Sequence, residues 1–166
     1  MEQEKLEALA ATVGARLAAR GETLALAESC TGGWVAQCIT AIAGSSAWFD
    51  RGFVTYSNAA KQEMLGVSLA TLKHHGAVSE ATALAMAEGA LAKSHAQRAI
   101  AISGIAGPDG GSADKPVGTV CFAWAGSDGT HAVATCRFAG DRQAVRAAAV
   151  AHALDGLLGQ LPPLVV

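Results

Sequence analysis

The chain has 166 residues, 51% of them hydrophobic and 5% aromatic, with a formal net charge of −2. Length and apolar content admit one domain with a proper core and exclude disorder as a class. The near-neutral balance, with no lysine or arginine cluster, argues against a nucleic-acid surface, and no apolar run is long enough to span a bilayer.

So few aromatic residues imply a closely packed core of Ala, Val, Leu and Ile. Met1-Glu2-Gln3-Glu4-Lys5 has no basic region followed by an apolar one, so no signal peptide is read and a cytoplasmic protein is expected. Cys30, Cys38, Cys121 and Cys136 form no C-x-x-C pair and are expected to be free thiols. No His, Asp or Glu spacing suggests a zinc site, so neither metal nor cofactor is expected.

Helical spacing of Leu6, Leu9, Ala10, Val13 and Leu17 predicts a helix over 2–20, ended by Gly21. Residues 23–27 read as a strand buried on both faces, 33–43 as a helix stopped by Gly44, and 52–56 as a second strand. Ser57 caps a helix that holds Lys61 in its first turns. A short helix follows over 69–75, and Ser79 with Glu80 opens another that runs to about residue 93. The third strand spans 98–103. A loop over 104–116, rich in Gly, Pro and Asp, leads to strands at 117–125 and 131–138, joined by the turn Gly126-Ser127-Asp128-Gly129. Cys121 and Cys136 are placed opposite each other across that hairpin. The last helix covers 140–158, and Pro162 and Pro163 predict a frayed, non-helical end. The fold class is α/β: a mixed sheet covered by helices on both faces, in one domain over 1–166.

Ala27-Glu28-Ser29-Cys30-Thr31-Gly32-Gly33 lies between a buried strand and a helix. Its two glycines permit a sharp turn, and the helix start offers N–H groups to a negative charge. Ser29, Cys30 and Thr31 set nucleophiles beside those groups, as acyl transfer requires. Simple helix capping by Ser29 or Thr31 is the plainer alternative. Lys61, near a helix start, meets the positive end of the dipole, which lowers its pKa and suits it as a base toward a serine; a solvated surface lysine is the commoner outcome. Tyr56 can donate a proton or stack on a ring, or simply close the core margin. The loop Gly104-Ile105-Ala106-Gly107-Pro108 fits neither a P-loop nor G-x-G-x-x-G, yet it can bring main-chain N–H groups to a ligand. Arg142 can grip a phosphate together with the last helix start, or stand on the surface paired to Asp141. Ligands of open α/β sheets gather at strand carboxyl ends, where these loops lie.

Taken in order, this set of motifs closely resembles the CinA C-terminal domain family, the competence/damage-inducible proteins. It runs from the Ser29 loop through Gly44-Ser45-Ser46, Tyr56-Ser57-Asn58 with Lys61, Gly76-Ala77-Val78-Ser79, Gly104-Ile105-Ala106-Gly107-Pro108 and Pro116-Val117-Gly118-Thr119-Val120 to Gly140-Asp141-Arg142. The resemblance covers the chain from about Leu6 to Leu158. It implies a three-layer α/β/α sandwich and nicotinamide-nucleotide amidase activity. Such an enzyme hydrolyses the carboxamide of nicotinamide mononucleotide to nicotinic acid mononucleotide and ammonia, in pyridine-nucleotide salvage. By resemblance the catalytic residues are Ser29 as nucleophile, Lys61 as general base, and Tyr56 beside them. Thr31, Gly32, Gly33, Asn58, Gly104, Ile105, Ala106, Gly107 and Arg142 are the candidate substrate contacts. Many relatives carry a further N-terminal domain resembling molybdopterin-binding proteins, and this chain reads as the stand-alone form. The expected partner is a small nucleotide substrate, with no nucleic acid and no membrane, and the expected assembly is a homo-oligomer. A non-catalytic nucleotide-binding regulatory module and cysteine chemistry at Cys30 are the rival readings.

Overall fold

The computed structural model of the chain describes residues 2–162. Six α-helices and five strands follow in the order α1 (Glu2–Arg20), β1 (Leu24–Glu28), α2 (Trp34–Thr40), β2 (Phe49–Val54), α3 (Asn58–Leu65), α4 (Leu69–His75), α5 (Glu80–Ala92), β3 (Arg98–Gly104), β4 (Thr119–Gly126), β5 (His131–Arg137) and α6 (Arg142–Gln160). The strands form a single sheet in the order β2-β1-β3-β4-β5. Strand β1 runs parallel to β2 and β3, whereas β4 is antiparallel to both β3 and β5. Two reversals return β5 to the direction of β1–β3, so all four of these strands present their carboxyl ends at one edge of the sheet.

Strand alternation sorts the core by size. Leu24, Leu26, Ile100, Ile102, Phe122 and Trp124 join the core cluster that packs with α1, α2 and α6. Their neighbours Ala25, Ala27, Ala99, Ala101, Ala123 and Ala125 join the second cluster, under α3–α5. Small side chains on that face allow helix α5 to sit low on the sheet. Gly89 carries the approach further: a Cβ there would lie 2.1 Å from the Leu65 carbonyl oxygen. The end of α3 is therefore seated directly on α5.

The expected mixed sheet and two covering layers are present, and several element bounds differ. Strand β2 starts at Phe49 rather than at residue 52, because an edge strand with exposed Arg51 and Gly52 shows no continuous apolar run. Helix α2 stops at Thr40, and the chain makes a tight 3-10 turn over Ser45–Ala47 before Trp48 enters the core. Helix α6 begins two residues later than the reading, because Asp141 caps it.

The hairpin corrects the placement of Cys121 opposite Cys136. Five residues separate the last pair, Ala125 and His131, and the register sets Cys121 against Thr135 and Val120 against Cys136. A one-residue slip moves a side chain to the other face of the sheet. Cys121 contacts Thr135 under α5, while Cys136 contacts His152 on α6. The reading of a frayed tail at Pro163 lies outside the described residues.

Candidate active site

The same alternation that sorts the core directs the end of β1. Glu28 continues the series Leu24, Leu26 toward α2, and Ser29 continues Ala25, Ala27 toward α3. Each finds a partner on its own side. Lys61 Nζ lies 3.0 Å from Ser29 Oγ and donates to the Thr55 carbonyl at 2.9 Å. Lys61 is 1% exposed and Ser29 7%. Ser57 caps α3 by accepting from the Ala60 N–H, which fixes the turn that carries Lys61 inward. Burial holds the Lys61 amine below the ordinary lysine value, with an opposing contribution from Cys30. The lowering thus comes first from desolvation rather than from the helix dipole.

On the other side, Glu28 closes the start of α2. Its carboxylate accepts the Thr31 hydroxyl at 2.6 Å and the N–H groups of Gly33 at 3.2 Å, Val35 at 3.0 Å and Ala36 at 3.0 Å. Gly32 and Gly33 adopt the left-handed backbone (φ 59° and 101°) that this turn needs, and Gly32 N–H donates to the Ser29 carbonyl. This corrects the reading of the whole 31–33 stretch as an anion nest. Of its N–H groups only that of Thr31 has no partner among the described residues, together with that of Cys30. The start of α6 is capped in part, the Asp141 carboxylate accepting the Ala144 N–H at 2.9 Å. Each of these two helix starts therefore meets a carboxylate of the chain itself.

Tyr56 is exposed, and its hydroxyl accepts from Arg142 at 2.9 Å rather than engaging Ser29 or Lys61. The other arm of Arg142 donates to the Gly107 carbonyl at 2.7 Å. Arg142 thereby ties the β2–α3 turn to the 104–118 loop. Within that loop the Ile105 N–H is spent on the Thr119 carbonyl, Ala106 and Gly107 are buried, and the peptide from Gly107 to Pro108 is cis. Asn58 is exposed in the first turn of α3. A cavity of about 480 Å³ opens between this loop and α6, lined by Ala106, Pro108, Val117, Arg142, Gln143 and Arg146 among others. A drug- or nucleotide-sized ligand fits a space of this order.

Three residues of the site had no role in the sequence reading. Glu28 carried a signal, an acidic residue ending a buried strand just before a helix. Arg146 stands one turn beyond Arg142 on α6, at the i+4 spacing that shares a helix face. Its Nε donates to the Cys30 carbonyl at 3.0 Å and its Nη2 to the Thr31 carbonyl at 3.1 Å. Ser103 is buried and follows Ile102, the register partner of Glu28, so it stands beside Ser29 on the neighbouring strand. Cys30 belongs to the α2 side of the core; burial pushes its thiol up to about 11. A thiol so held stays protonated near neutral pH and is a poor nucleophile. Among the described residues no cluster of His, Cys, Asp or Glu could hold a metal ion, and no helix is long and apolar enough to cross a membrane.

A serine hydroxyl against a buried lysine amine, at the carboxyl edge of a sheet in a three-layer α/β/α domain, defines the class to which this architecture corresponds. The CinA C-terminal domain matches residues 6–161, and the chain belongs to that family. It is 58% identical over 160 residues to the nicotinamide-nucleotide amidohydrolase PncC of Escherichia coli strain K12, covering 96% of this chain and 97% of that protein. It is 56% identical to the PncC of Enterobacter agglomerans, covering 95% and 96%. The crystal structure of the competence/damage inducible protein CihA from Agrobacterium tumefaciens superposes with a TM-score of 0.91 at 48% identity, over 93% of this chain and 94% of that one.

Proposed function

We propose that this protein is a nicotinamide-nucleotide amidase, hydrolysing the carboxamide of nicotinamide mononucleotide to nicotinic acid mononucleotide and ammonia, with Ser29 as nucleophile. The observation that carries the mechanism is the 3.0 Å contact between a buried, pKa-lowered Lys61 amine and the Ser29 hydroxyl. Near-full-length identity to amidohydrolases of that name supports the substrate.

The neutral amine has two N–H bonds and a lone pair. One N–H is spent on the Thr55 carbonyl, which leaves the lone pair free to face Ser29. Lys61 takes the Ser29 proton as Oγ bonds to the carboxamide carbon, and the carbonyl π electrons move onto oxygen. The unpartnered N–H groups of Cys30 and Thr31 receive that oxyanion; one such donor is worth about 10²–10³ in rate. Collapse re-forms the carbonyl and breaks the C–N bond, Lys61 returning its proton to the departing ammonia. Water then attacks the acyl-serine ester with Lys61 again as base, and the free acid leaves. General base catalysis of this kind contributes about 10²–10⁴-fold.

The ribose phosphate extends toward the cavity beside Arg142, whose guanidinium is the exposed cation at its mouth. Because Glu28 closes most of the start of α2, phosphate recognition rests on Arg142 and the start of α6. Ammonia release from nicotinamide mononucleotide, with nicotinic acid mononucleotide as co-product, is the direct test on purified wild type, Ser29→Ala and Cys30→Ala. Turnover by wild type and Cys30→Ala but not Ser29→Ala is the expected pattern. Binding of the nucleotide without turnover would mark a regulatory module instead.

A further inference from the structure

The contacts of Arg146 extend beyond tying α6 to the rest of the fold. It donates both of its hydrogen bonds to main-chain carbonyls of the two residues that follow the nucleophile. Its guanidinium also lies 5.4 Å from the centre of the Trp34 ring, which locks the side chain in place. In a trans peptide the N–H points opposite to the carbonyl of the same unit. Holding the Cys30 carbonyl therefore fixes the direction of the Thr31 N–H. The preceding peptide is held in the same way: the Ser29 carbonyl accepts the Gly32 N–H at 3.0 Å, which fixes the Cys30 N–H. These are the two N–H groups of the turn without a partner among the described residues.

We infer that Arg146 is a positioning residue, whose guanidinium fork orients and polarises the Thr31 N–H that receives the oxyanion on the Ser29-bound substrate. The inference rests on the hydrolytic reading above. A planar fork can serve two adjacent carbonyls at once, and a positive charge on the carbonyl side of a peptide strengthens the N–H on its other side. A lysine offers a single point charge and cannot hold both. The role does not require Arg146 to touch the substrate, so its loss falls on turnover and spares binding.

The test compares wild type, Arg146→Ala and Arg146→Lys on nicotinamide mononucleotide, with melting temperature and the affinity for nicotinic acid mononucleotide measured alongside. Both variants are expected to lose kcat by about 10²-fold, the order of one oxyanion donor. KM and product affinity should stay within about threefold of wild type, the ordinary scatter of a contact left intact. Guanidinium ion added to Arg146→Ala should restore part of kcat and leave wild type unchanged. A kcat near that of wild type in both variants overturns the inference, as does a loss confined to KM, which would make Arg146 a substrate-binding residue. If Arg146→Ala does not fold, the kcat and KM split of Arg146→Lys decides alone. An inactive wild type overturns the hydrolytic reading itself, which separates that failure from this one.

Discussion

Glu28 Oε1 accepts the Thr31 hydroxyl at 2.6 Å, three residues along the chain, while the same carboxylate takes three N–H groups at the start of α2. Hydrogen bonds to a charged acceptor are worth about twice those to a neutral one. Glu28→Gln keeps the shape but turns an amide N–H₂ toward one of those donors. A loss of ~2 kcal/mol in unfolding free energy is expected. Urea titration measures it, and kcat should fall in the same variant because the turn behind Ser29 loosens. An unchanged midpoint would show that the turn holds itself without the carboxylate.

Lys61 links activity to pH and stability to pH with one sign. Its folded pKa lies below the ordinary value of 10.5 because of burial. Between the lowered value and 10.5 the unfolded chain binds more protons than the folded one, so stability rises with pH across that window. Below the lowered value the folded state bears the full cost of a buried ammonium. The rising limb of kcat/KM should fall in the same range, as the amine loses its proton and becomes a base. Lys61→Met should abolish turnover and flatten that part of the stability profile. A profile that keeps its slope in Lys61→Met would place the titration elsewhere.

Gly89 sits far from the chemistry in sequence but supports the helix that carries Lys61. A Cβ would meet the Leu65 carbonyl oxygen at 2.1 Å, and backbone cannot yield as a side-chain tip can. Gly89→Ala should cost about 1–3 kcal/mol, typical of overpacking. Displacement of α3 should also lengthen the Lys61 to Ser29 contact, so kcat should fall with KM little changed. Thermal unfolding with steady-state kinetics reads both effects.

Arg142 is the test of phosphate recognition. Arg142→Ala removes the cation at the cavity and also the link between Tyr56 and Gly107. The specificity constant for the mononucleotide should fall more than that for the unphosphorylated riboside, narrowing their ratio at least about tenfold, which corresponds to ~1.4 kcal/mol. Tyr56→Phe should leave the ratio nearly intact, because the charge remains. An unchanged ratio in Arg142→Ala would show that the phosphate is held elsewhere.

The mixed sheet was legible from local signals, and the Ser29 and Lys61 pair from those signals together with the family resemblance. Continuous apolar runs mark β1 and β3, paired glycines mark the turn, and Ser57 marks the helix that brings Lys61 inward. Strand alternation then decides that Ser29 faces α3. The start of β2 was not legible, because Asp50, Arg51 and Gly52 of an edge strand carry no period. The hairpin register was not legible either: the connection is one residue shorter than a Cys121–Cys136 pairing needs, a difference invisible to pattern. Arg146 escaped because its partners are carbonyl groups, which every residue has and no sequence motif reveals. Glu28 was in plain view, but helix starts were read as open to a ligand, whereas the chain supplies its own anion at both.

A serine nucleophile passes through a covalent acyl-enzyme. Wild-type enzyme mixed with nicotinamide mononucleotide, quenched in acid within a turnover and digested, is expected to carry the acyl group of the substrate as an ester on the Ser29 hydroxyl. Mass spectrometry of the peptide containing Ser29 and Cys30 assigns the position. An ester on Ser29 that disappears in Ser29→Ala, with loss of ammonia release, is the result a Ser29 nucleophile requires. An adduct on Cys30, or full turnover by Ser29→Ala, would contradict it.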